Sequence, residues 1–161
     1  MDAWHDVFVV LGTTAAALEG LVFVAVSVGV TLKQPRKGLA EFTGQTVINF
    51  TLALVACVVA LSPVGLKIIG AVLLAPGILG LGSGVWFWWQ MHLIEGYEPV
   101  KTDWLFYGLL PVIDYALLIL AAVSLIFIAG SAIDMLVAVL VILVVLCIRN
   151  SYDLTIWASM Q

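Results

Sequence analysis

The chain has 161 residues, 64% of them hydrophobic and 10% charged, with a formal net charge of -4, and its mean hydropathy of +1.22 lies far above that of a water-soluble domain. These figures exclude a soluble globular enzyme and predict an integral membrane protein. The few charges form no basic run able to track a phosphate backbone, so nucleic acid is excluded as a partner.

A bilayer core takes about 20 apolar residues per helix, and the chain divides into five such pieces. The first span is expected over residues 7–32; MDAWHD in front of it lacks the positive leader of a cleavable signal, so the stretch is expected to remain in the protein. The basic loop KQPRKG closes it. The second span, 39–61, ends at SPVG, a Pro and Gly turn that reverses the chain. The third, 67–94, carries Pro76, Gly77, Gly80, Gly82 and Gly84 and then WFWWQMH, a tryptophan cluster that marks a membrane surface. EGYEPVKTDW is the most polar segment. The fourth span, 104–129, contains Pro111 and ends at AGSAID, where Gly130 suits a helix C-terminus and Ser131 with Asp134 fits the S-x-x-D capping pattern. The fifth runs over 131–148 or slightly beyond, leaving RNSYDLTIWASMQ at the interface. The fold class expected is all-α, a polytopic membrane helix bundle of about five transmembrane helices forming a single domain over residues 1–161.

Lysine and arginine orient the bundle. Lys33, Arg36, Lys37, Lys101 and Arg149 fall on one side and Lys67 on the other, which puts the N-terminus outside and the C-terminus in the cytoplasm.

With about 1.5 Å of rise per residue, Glu19, Asn49 and Asp114 fall near the middle of the first, second and fourth spans. A carboxyl group at that depth costs about 2.5 kcal/mol or more to insert, so ionisable groups there tend to mark ion or proton pathways. Glu41, Gln45 and Asn49 are spaced by four and share one helix face. Gly12, Ala16, Glu19, Phe23 and Ser27 follow helical spacing too, which places Glu19 on or beside a packing face. Asp114 follows Pro111, whose missing N–H frees the carbonyl of Tyr107.

Each residue has a plainer reading. Glu41 lies in the first turn of a helix, where a carboxylate suits the dipole; Gln45 and Asn49 can serve as interhelical glue; Glu19 and Asp114 can be acids held by a neighbouring helix. Arg149 is either a counter-charge for Glu41 or another acid of the stripe, or an interface anchor paired locally with Asp153. His5 and His92 lie at opposite ends of the bundle, so no metal or haem site is expected, and Cys57 and Cys147 lie too far apart in depth for a disulfide. No cofactor and no catalytic residue is expected: nucleotide-binding, nucleophile-elbow, HExxH and CxxC motifs are missing from the sequence.

The stretch ALEGLVFVAVSV together with the late IRNSYDL resembles segments of small bacterial multi-span integral membrane proteins. The resemblance implies a bacterial inner membrane and supplies no activity. Taken together, the expectation is a non-enzymatic homo-oligomer in the lipid bilayer that passes protons or small cations along a path containing Glu19, Asn49, Asp114, Gln45 and Glu41. The competing readings are an accessory, scaffold or regulatory subunit of a larger membrane complex, and an intramembrane lipid-binding or lipid-modifying enzyme.

Overall fold

The computed structural model describes residues 2–32, 38–94, 98–128 and 132–159, with side chains described over 4–27, 38–94, 98–128 and 132–156. Helix α1 is Asp2–Leu32 and α2 is Leu39–Ala60. Helix α3 is Leu66–Gln90, followed by a 3-10 turn at Met91–Leu93. Helix α4 covers Lys101–Phe127 and α5 is Ala132–Ser159. The protein is an all-α bundle, and among the described residues five helices are long and apolar enough to cross a membrane. The basic residues Lys33, Arg36 and Lys37 and the proposed Ser131 cap lie outside the described residues.

Successive helices run antiparallel. Gly12 of α1 meets Cys57 of α2, Phe42 of α2 stacks edge-on against Phe87 of α3, and Gly70 and Gly84 of α3 meet Ala122 and Val112 of α4. Helices α2, α3, α4 and α5 close a four-helix ring, and α1 lies against α2 and α5.

The seam between α3 and α4 explains the glycines of the third helix. Side chains added at Gly70, Gly77 and Gly84 would press on Ala122, Ile119 and Val112, and one at Gly80 would overlap the ring of Tyr115. Lipid provides no hydrophobic drive between helices, so close backbone approach is what holds this pair together. Hydroxyls elsewhere bond back to the preceding turn, Thr46 Oγ1 to Phe42 O at 2.9 Å and Ser151 Oγ to Cys147 O at 2.7 Å, which satisfies them without water.

Two helices differ in detail from the sequence expectation. Helix α5 continues unbroken past Ile148 to Ser159, because no glycine or proline interrupts RNSYDLTIWAS and the Arg149–Asp153 pair at 2.7 Å supports the added turns. Helix α4 starts at Lys101, with Asp103 Oδ2 accepting the N–H of Val100 at 3.0 Å, and then widens into π-helical turns over Trp104–Leu109 before resuming α geometry at Leu110–Phe127. The cause is Pro111. Lacking an N–H, it can serve neither the carbonyl of Tyr107 in α register nor that of Phe106 in π register. Leu110 N reaches back to Leu105 O, and the open carbonyl of Phe106 is taken by Asn150 Nδ2 of α5 at 3.2 Å.

Candidate functional site

Half-way along α2, α3 and α4 the ring holds a buried polar cluster. Gln45 and Asn49, one turn apart on α2, both face inward, as their spacing implied. Gln45 Nε2 donates to Asn49 Oδ1 at 3.2 Å and to Ser83 Oγ of α3 at 3.5 Å. Tyr115 of α4 donates its hydroxyl to the same Asn49 Oδ1 at 3.0 Å, across the space that the missing side chain of Gly80 leaves open. Ser83 Oγ donates on to Gly80 O at 3.0 Å. Asn49 Oδ1 thus joins α2 to α4, and the Gln45 amide joins α2 to α3.

Asp114 stands beside this cluster and outside its hydrogen bonds. It is 2% exposed, and neither carboxyl oxygen has a hydrogen-bond partner among the described residues. The Tyr115 hydroxyl and the fully buried Cys147 thiol of α5 lie within electrostatic reach of it. A buried carboxyl without a donor is an expensive arrangement, because the interior returns none of the hydration it has lost.

Glu19 sits elsewhere. Its Oε1 accepts the hydroxyl of Thr51 at 2.8 Å, at the outer edge of the α1–α2 seam, where Thr51 is exposed. Cys147 lies within electrostatic reach of Glu19 as well as Asp114. The buried residues of α1 are Phe8, Gly12, Ala15 and Val22 among those described, while Phe23 is 70% exposed. Of the stripe Gly12, Ala16, Glu19, Phe23 and Ser27, Gly12 is buried against Cys57, Glu19 is half-buried beside the packing face, and Ala16, Phe23 and Ser27 are exposed. Glu41 is exposed in the first turn of α2, lining a cavity with Trp86, Trp89 and Gln90, separate from the Gln45–Asn49 hydrogen bond.

Arg149 forms its ion pair with Asp153, and its guanidinium lies 3.8 Å over the ring of Phe106. It also reaches Asn150 Oδ1 at 3.5 Å. Asn150, fully buried, gives its amide to Phe106 O, and its own carbonyl accepts the hydroxyl of Tyr107 at 3.0 Å. These contacts lock α4 to α5 near the end of the bundle that carries the chain's C-terminus.

Sequence reasoning passed over Tyr115, Ser83, Thr51 and Asn150. A tyrosine in the middle of a span was the available signal, since its hydroxyl needs a partner at that depth. The signal for Asn150 was a helix in register with a proline that frees a carbonyl. Among the described residues no group of three or more His, Cys, Asp or Glu is placed to hold a metal ion. His92 stacks on Trp104 at 4.4 Å between ring centroids, whereas His5 lines a cavity with Pro63 at the opposite end. Both described cysteines are free thiols.

Comparison with protein-family models, with curated proteins and with solved structures finds no match to this chain.

Proposed function

We propose that the chain is a bacterial inner-membrane protein that exchanges protons or binds small cations at Asp114, with its N-terminus outside and its C-terminus in the cytoplasm. The observation that supports this is the buried carboxyl whose two oxygens find no donor among the described residues. Packing and assembly have no use for such a group: an asparagine or leucine would fill the site at lower cost. A proton or a cation supplies what the site lacks.

Tyr115, adjacent in sequence to Asp114, donates its hydroxyl to Asn49, and Gln45 and Ser83 continue the polar line one turn toward the C-terminal face. Glu19 enters through assembly. With Thr51 it forms a polar pair on a surface that hydrocarbon would otherwise cover, so this seam is the natural contact with a second copy and the place where a path between subunits would run. The same exposed pair favours the second reading, an accessory subunit whose α1–α2 face docks on a larger membrane complex.

Purified protein in liposomes separates the two. Wild type is expected to pass H+, Na+ or K+ above empty vesicles, and Asp114→Asn to lower that flux at least about tenfold while folding normally, the loss of about 1.4 kcal/mol of stabilisation on the path. Wild-type flux indistinguishable from empty liposomes for all three ions contradicts the transport reading and leaves the subunit reading in place.

A further inference from the structure

We infer that the cavity between the start of α2 and the end of α3 binds the headgroup of an ammonium-bearing phospholipid, of the phosphatidylethanolamine type. The cavity has a volume of about 480 Å³ and is lined by Gly38, Glu41, Trp86, Trp89 and Gln90 among others. Its depth fits. Trp86 to Gln90 lie six to ten residues beyond Gly80 at the centre of α3, roughly 10–15 Å along the helix, which is the boundary between acyl chains and headgroups.

Its chemistry favours a cation that can donate hydrogen bonds. Glu41 contributes a carboxylate, and no cation among the described residues pairs with it. Gln90 Oε1 is buried without a donor among the described residues. The C-terminal end of α3, with the negative end of its dipole, comes to the same place. The indoles of Trp86 and Trp89, both largely exposed to their surroundings, offer π faces to an ammonium group. An ethanolamine headgroup answers all of these: its ammonium donates to Glu41 and Gln90 and lies over an indole. Its phosphodiester has a place as well, because Gly38 has no side chain with which to cap the first N–H groups of α2. A free amine would leave those N–H groups unused, and this argues for the lipid as the source. The site is distinct from Asp114 and does not depend on the transport reading.

Native mass spectrometry of the delipidated protein tests it, with phosphatidylethanolamine, phosphatidylcholine and phosphatidylglycerol supplied at equal concentration. Phosphatidylethanolamine adducts should exceed those of phosphatidylglycerol about tenfold, and Glu41→Gln should remove about that factor, the effect of losing one charge-assisted hydrogen bond. Trp89→Leu, an exposed position that keeps the apolar wall, should lower the same adduct severalfold. Phosphatidylcholine, whose ammonium has no N–H, should bind less well than phosphatidylethanolamine. Equal binding of all three lipids, a phosphatidylethanolamine adduct unchanged by Glu41→Gln, or a preference for phosphatidylglycerol overturns the assignment. Displacement of the lipid by an equal concentration of free ethanolamine overturns its source.

Discussion

Asn150 and Asp114 are both buried polar residues on neighbouring helices, and they differ in how completely their polar atoms are used. Asn150 gives its amide to Phe106 O, takes a contact from Arg149 on its side-chain oxygen and accepts Tyr107 on its backbone carbonyl. Asp114 has no hydrogen bond on either carboxyl oxygen among the described residues. In hydrocarbon a satisfied amide is a fastener, and its cost is offset by the carbonyl it rescues. An unsatisfied acid destabilises the fold that carries it, and its use must lie in what it binds. Asn49 belongs with Asn150, since its oxygen takes donors from Gln45 and Tyr115.

Breaking the fastener should have the largest effect on stability. Asn150→Leu fills the space but strands the Phe106 carbonyl that Pro111 cannot serve, so unfolding in micelles should cost about 2 kcal/mol less than in wild type. A variant as stable as wild type would mean that the carbonyl finds another donor and that the α4–α5 lock is held by packing alone.

Tyr115→Phe should come next. It keeps the ring against Gly80 and removes one of the two donors to Asn49 Oδ1, which is worth about 1 kcal/mol in the same unfolding measurement. It also sharpens the comparison. Asn49 would keep Gln45 as a partner, so a loss much larger than this would show that Tyr115 supports Asp114 too.

Arg149→Met should cost less than about 1 kcal/mol, because the pair with Asp153 is a half-exposed one within a single helix and the stacking on Phe106 adds little more. A drop of several kcal/mol would reveal a buried acid that depends on Arg149, the counter-charge role considered from the sequence.

The sequence made the elements legible and left their faces obscure. Five apolar runs separated by KQPRKG, SPVG, EGYEPVKTDW and AGSAID are visible because the bilayer demands length and hydrophobicity from each helix. The inward face of α2 was legible as well, since Gln45 and Asn49 were among the few polar residues in an apolar helix and their spacing gave a direction. The face of α1 was not. Where nearly every residue is apolar, lipid and protein neighbours look alike in the sequence, so periodicity has no phase. The stripe through Glu19 accordingly mixes the buried Gly12 with the exposed Ala16, Phe23 and Ser27. The glycines of α3 posed the same difficulty: Gly80 is crowded by Tyr115 while Gly82 has open space beside it, and only the position of α4 distinguishes them. That Asp114 has no hydrogen-bond partner among the described residues depends on side chains from other helices, which no local pattern encodes.

The most direct measurement follows the Asp114 carboxyl itself. Infrared difference spectra of the reconstituted protein, taken as pH or cation concentration is stepped, should contain a carboxyl band that changes with the step and disappears in Asp114→Asn, while the stability of that variant stays equal to or above that of wild type. Spectra in which no band depends on Asp114 under any step, together with a clear loss of stability in Asp114→Asn, would contradict the proposal and return the residue to a structural role.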